Sequence, residues 1–194
     1  MKMNTVYECL TLFIMAIGAA ILQSGVNPVF FGQAKPPFLM AVALYYAWMR
    51  PVGTAMAAAL LCGLLQDGIG VLPAGTSVAW MAALAVACHR LRHSLGIGSE
   101  VPVNAIVCMA LVVVTAPLTV GVEYVSLRLF GGIGELRWYF LFSRVVGSAL
   151  LALPVGAVTV LAGIGLTKLA LKTQTEKQGH ARDWTQHSLE RGGV

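Results

Sequence analysis

Few residues in this chain carry side chains able to do chemistry, and Asp67 stands out among them. It follows Gly63-Leu64-Leu65-Gln66 directly, at the end of an apolar run. A carboxylate at membrane depth costs about 2.5–3.5 kcal/mol on insertion scales, so it must face a bundle interior, a partner helix or water. Two readings follow: a buried polar contact or a proton or ligand site, or else a helix-end residue that meets headgroups and water. Around it lie Gly63, Gly68, Gly70, Pro73 and Gly75. Glycines let backbones approach closely or turn, and Pro73 breaks a helix. Lipid cannot satisfy free backbone groups, so the spacing predicts that residues 66 to 76 are covered by other helices. These six positions, Asp67, Gly63, Gly68, Gly70, Pro73 and Gly75, are the candidate partner-binding or structural set.

Other constellations are weaker. His89 and His93 lie four apart and share a helix face, but Arg90 and Arg92 beside them read as a solvated cationic helix end. Glu123 and Arg128 read as an interfacial pair worth under about 1 kcal/mol. Cys9, Cys62, Cys88 and Cys108 sit in or beside apolar runs without metal-ligand spacing, and read as small packing residues. The chain has no Gly-x-Ser-x-Gly, no phosphate-binding glycine loop and no His-Glu-x-x-His. No catalytic residue, metal or cofactor is therefore expected, and the chain does not read as an enzyme. Gln66, Asn104 and Thr115 are the few further polar side chains available to line a ligand cavity.

The elements that hold these residues are apolar helices. Of the 194 residues, 58% are hydrophobic and 11% charged, against about 25% charged in a soluble domain. No Asp, Glu, Lys or Arg occurs in 10–34, 101–122 or 145–167, and each run reaches the roughly 20 residues a bilayer crossing needs. The expected class is all-α, a polytopic bundle of six transmembrane helices over 1–167. The spans are placed at about 7–26, 36–50, 51–67, 73–90, 101–123 and 142–167, followed by a polar, mobile cytoplasmic tail over 168–194. The second stretch is short, about 21 Å at 1.5 Å per residue. Tyr45, Tyr46 and Trp48 are expected near the headgroups, with Lys35 and Arg50 snorkelling to the interfaces.

The formal charge of +5 fits membrane orientation better than nucleic acid, because no basic face with interleaved aromatics appears. With six spans and cytoplasmic termini, nine of the 13 basic residues fall inside, Lys2, Arg50, Arg90, Arg92, Lys168, Lys172, Lys177, Arg182 and Arg191. The positive-inside rule favours that orientation.

Gly63-Leu64-Leu65-Gln66-Asp67, then Pro73 and Gly75, resembles the Gly-Leu-Leu-x-Asp…Pro-x-Gly stretch of the MreD family of rod shape-determining membrane proteins. Pro37-Phe38-Leu39, Tyr45-Tyr46-Ala47 and Arg50-Pro51 resemble the same family's second helix and turn. The likeness covers about residues 36 to 80; the other spans agree in number and length alone, and the C-terminal tail looks longer than the family needs. The resemblance implies a non-enzymatic scaffold of bacterial cell elongation in the inner membrane. Its direct partner would be MreC, with MreB, RodA and the penicillin-binding synthase linked indirectly, and membrane lipids around it. It also implies a fold like the six-helix substrate-binding subunits of energy-coupling-factor transporters. That relation supplies the alternative expectation, a subunit binding a small vitamin-like ligand. Faces with small residues such as Gly53 and Ala57 suit close helix packing in the scaffold reading.

Overall fold

The computed structural model describes residues 5–26, 35–70, 73–96, 101–130 and 138–191. Side chains are described up to residue 173 and at 175, apart from those of 138–140. In the sequence Asn27-Pro28 reads as a turn, Phe30-Phe31 as part of a short connection and Gly131-Gly132-Ile133-Gly134 as a helix breaker, and all lie outside the described residues; so do Arg137 and the side chains of Trp138 and Tyr139, which together read as an interface anchor. Among the described residues the fold is all-α. Its helices are α1 (Thr5–Gly25), α2 (Phe38–Met49), α3 (Val52–Ile69), α4 (Thr76–Leu95), α5 (Val101–Leu129) and α6 (Trp138–Arg191).

Four segments are long and apolar enough to cross a membrane: Thr5–Gly25, Val52–Ile69, Val101–Leu129 and Leu141–Thr173. Their outward faces carry large hydrophobic side chains open to the surroundings, among them Phe13, Leu64, Ile106, Val114 and Leu161. Polar side chains such as Gln23, Asn104, Thr115 and Ser126 are buried instead. Apolar surface outside and polar groups inside suit a lipid solvent. The protein is a multi-pass helical membrane protein.

The helix α2 occupies the centre. Every residue from Leu39 to Trp48 is buried, none more than 5% exposed, and α1, α3, α4, α5 and α6 all pack against it. Its sequence has no polar face, as a helix surrounded by other helices requires. This corrects the expectation for Tyr45, Tyr46 and Trp48. They lie in the core rather than at headgroups, with Tyr45 and Tyr46 edge to face at 5.5 Å. An aromatic with a polar tip suits an interface or a core equally well, provided the tip finds a partner. The tips do: Tyr46 Oη donates to Thr11 Oγ1 at 3.4 Å, and Trp48 Nε1 to Asn104 Oδ1 at 2.9 Å.

Successive helices alternate in direction along the chain. At the near end, where α1 begins, Glu8, Arg50, Thr54, Arg92, Asn104 and Thr167 gather; at the far end are Gln23, Gln66, Asp67, Ser77, Glu123 and Arg144. The α2–α3 turn follows from Arg50-Pro51. A residue before proline is driven to extended backbone, and Arg50 has φ −117° and ψ 164°. Pro51 then precedes the first residue of α3, and its carbonyl accepts from Ala55 N–H at 3.0 Å.

Where a mobile tail is expected from Lys168, α6 runs on as one helix to Arg191, 54 residues in all, about 80 Å at 1.5 Å per residue. No proline and a single glycine fall in 168–191, so nothing in the chain forces a stop. Farther back, Gly163 lets α6 lie on α2, since a Cβ there would overlap the Tyr45 ring. Gly163→Val is expected to lower the thermal unfolding midpoint in detergent, by the equivalent of about 1–3 kcal/mol for overpacking. Gly165→Ala, where a Cβ meets nothing within 4 Å, is expected not to lower the midpoint, because alanine also favours the helix over glycine.

Candidate functional site

The candidate residues meet in the α3–α4 hairpin. Asp67, in the last turn of α3, reaches across to the start of α4. Its Oδ2 accepts from Gly75 N–H at 2.7 Å and its Oδ1 from Ser77 N–H at 3.0 Å. The first N–H groups of a helix have no partner within the helix, and a carboxylate there also meets the positive end of the helix dipole. Asp67 thus serves α4 as an N-cap donated by the preceding helix. The two sequence readings merge: the carboxylate is half-buried at a helix end, and its work is a tertiary contact.

Two glycines and the proline have definite tasks. A Cβ on Gly63 would lie 2.6 Å from Val78 Cα, so this glycine permits backbone contact between α3 and α4. Gly75 has φ 93°, a left-handed conformation that L side chains rarely adopt. The Pro73 carbonyl accepts from Thr76 N–H at 3.2 Å. A Cβ on Gly68 meets nothing within 4 Å, and Gly70 ends α3 in extended backbone, with its N–H on Gln66 O at 2.8 Å.

The expected cover over residues 66 to 76 is not observed. Gly68, Ile69, Gly70, Ala74 and Gly75 are exposed, and 71–72 lie outside the described residues. Asp67, the Gln66 carbonyl and the Pro73 carbonyl satisfy backbone donors locally, which removes the reason for burial.

The near end holds a second polar cluster. Arg50 Nη2 donates to Thr167 Oγ1 at 2.7 Å, and Arg50 Nη1 lies 3.6 Å from Glu8 Oε1. Thr54 Oγ1 donates to the other Glu8 oxygen at 3.4 Å. The Arg50 and Glu8 side chains are 14% and 18% exposed. Arg50 therefore turns inward and joins α1, α2, α3 and α6, rather than snorkelling outward. Arg92, read as part of a solvated cationic end, instead donates from Nη1 to the Trp48 carbonyl at 2.6 Å.

At the far end the Glu123 carboxylate pairs across the α5–α6 hairpin with Arg144 Nη2 at 2.6 Å, not with Arg128, which donates to Tyr124 Oη at 3.1 Å. Arg128 lies five residues on, where a helix turns it off the Glu123 face; Arg144 becomes a neighbour only when the hairpin closes. Beside Glu123 is a cleft lined by Gln66, Thr76, Ser77, Trp80, Thr119 and Val122, among others. Its volume is about 10 Å³, room for one water. The ligand-lining candidates do not converge: Gln66 reaches this cleft, Asn104 is at the near end, and Thr115 bonds Leu111 O in its own helix at 2.7 Å.

Sequence reasoning passed over Gln23, whose Oε1 accepts from Leu39 N–H at 3.1 Å while its Nε2 donates to Gln66 Oε1. A glutamine flanked by apolar residues inside the charge-free run of 10–34 was the available signal.

No protein-family model, curated protein or solved structure matches the chain.

Asp67→Ala is expected to destabilise the purified protein by about 1–2 kcal/mol, the scale of a lost N-cap, with Asp67→Asn milder because one oxygen remains. Thermal unfolding in detergent reads both. Arg50→Met is expected to cost more, about 3–5 kcal/mol, because it leaves Glu8 poorly compensated in a mostly buried site. Adding Glu8→Gln should recover part of that loss; a double variant worse than Arg50→Met alone would show that the pair is not coupled.

Proposed function

We propose that this chain is a membrane scaffold of the MreD kind, which binds an MreC-like single-span partner and helps organise side-wall peptidoglycan synthesis. The observation that carries the reading is the α3–α4 hairpin. Gly63, Asp67, Pro73 and Gly75, which carry the resemblance, all shape the α3–α4 hairpin: close packing at Gly63, a cap at Asp67, the Pro73 carbonyl on Thr76 N–H, a left-handed corner at Gly75. A hairpin held by such contacts, with exposed residues in its turn, suits a contact element. The polar groups around it are taken up in internal bonds, and the adjoining cleft admits one water, far below the roughly 300 Å³ of a small-molecule site. That counts against a vitamin-sized ligand in this cleft.

In this reading all six helices cross a bacterial inner membrane, α2 as a central crossing shielded from lipid, in an arrangement like the substrate-binding subunits of energy-coupling-factor transporters. Arg50, Arg90, Arg92, Lys168 and Lys172 belong to the near end, which the positive-inside rule assigns to the cytoplasm together with both termini. MreB, RodA and the penicillin-binding synthase would be reached through MreC.

Co-expression with an MreC-like partner, followed by purification in mild detergent, tests the assignment. The two are expected to co-elute, and Asp67→Ala, which loosens the hairpin, is expected to reduce partner yield more than its own membrane level. A chain that purifies alone while retaining a vitamin-sized ligand overturns the scaffold in favour of a ligand-binding subunit.

A further inference from the structure

The ring around α2 is unevenly closed. The pairs α3–α4 and α5–α6 pack along much of their length, whereas α4 and α5 scarcely touch, and α1 and α6 touch little more. The α5–α6 hairpin therefore joins the rest of the bundle mainly through α2. Its polar ties are unequal along the axis. At the near end Trp48 is bonded to Asn104 and Arg50 to Thr167, and four residues link Gly96 to Val101. Toward the far end, among the described residues, the ties converge on one side chain. Thr119 Oγ1 accepts from Trp80 Nε1 at 3.0 Å and lies 3.0 Å from Met40 Sδ. The one-water cleft opens on this side, between Thr76, Trp80 and Met81 of α4 and Thr119, Val122 and Glu123 of α5.

Both helices of the hairpin carry an internal proline, Pro117 and Pro154. Proline lacks the N–H that would bond four residues back, and this is where helices bend. Pro117 lies two residues before Thr119. Pro154 lies two residues before Gly156, which packs on Met109 and Val112, so the two weak points face the same stretch of the hairpin. Beyond them the far ends of α5 and α6 are clamped to each other by Glu123 and Arg144.

We propose that the far half of the α5–α6 hairpin swings as a unit about Pro117 and Pro154, with the Trp80–Thr119 bond as its latch, opening the α4–α5 seam while the near end stays tied. The Glu123–Arg144 pair keeps the two helix tips together during the swing. Opening enlarges the cleft and bares the side of α2 around Met40. This does not depend on the scaffold assignment.

Paired spin labels on the full chain in lipid nanodiscs test it, with Cys9→Ser, Cys62→Ala, Cys88→Ala and Cys108→Ala as background. The far pair is Ala79→Cys and Val125→Cys, and the near pair is Ala87→Cys and Val103→Cys, all exposed positions. The far pair is expected to show a short and a long distance population, and the near pair one. Thr119→Val should raise the long population at least threefold, Thr119→Ser should leave it as it was, and Pro117→Ala should collapse it. Trp80→Phe removes the same bond from the α4 side and serves if Thr119→Val does not fold. A single far-pair distance unmoved by loss of the latch, or a near pair that lengthens in step with the far pair, overturns the proposal.

Discussion

A twelve-residue helix buried on all sides governs this structure. At 1.5 Å per residue α2 is about 18 Å long. Leu39 and Trp48, near its two ends, are fully buried among the other helices, where neither water nor lipid readily serves the terminal N–H and C=O groups. The neighbours supply the partners. Gln23 of α1 accepts from Leu39 N–H at one end, and Arg92 of α4 donates to the Trp48 carbonyl at the other. The side chains of α2 reach out in the same way, from Tyr46 to Thr11 and from Trp48 to Asn104. In a low-dielectric surround such bonds are hard to replace once lost, so the placement of the outer helices follows from what α2 needs.

That arrangement explains how a chain with so few polar residues uses them. Asp67 caps α4, Arg50 and Glu8 join four helices at the near end, and Glu123 and Arg144 close the α5–α6 hairpin. Among the described residues these side chains are taken up in bonds between helices, and the surface is made of apolar helix faces, the exposed residues of the α3–α4 turn and the long continuation of α6. In the proposed scaffold reading such surfaces would meet another membrane protein, an association that in lipid rests on close packing and a few hydrogen bonds rather than on burial of apolar area.

The central helix also divides the bundle. Because α5 and α6 reach the other helices chiefly through α2, the α4–α5 seam is thin, and its far half depends on Thr119. The α3–α4 hairpin, closed by the Asp67 cap, and the α5–α6 hairpin, with a proline inside each helix, stand on either side of that seam, and each packs separately on the core helix.

The amino-acid order alone determined the class and the punctuation. Charge-free runs as long as 10–34 and 145–167 leave no soluble alternative, and Pro36-Pro37, Arg50-Pro51 and Gly70 to Gly75 mark turns because their backbone permits little else. Asp67's need for a partner was legible too, since it is an isolated carboxylate at the end of an apolar helix. Only the tertiary structure decided what each polar group meets. An apolar helix reads the same against lipid as against protein, so the burial of Tyr45, Tyr46 and Trp48 was not visible in the residues. Glu123 meets Arg144 rather than Arg128, and Arg50 turns inward to Glu8, because those partners lie 21 and 42 positions away and become neighbours only when hairpins close. The turn after Asp67 remains uncovered for the same reason: its cap comes from across the hairpin, a contact the sequence spacing does not specify.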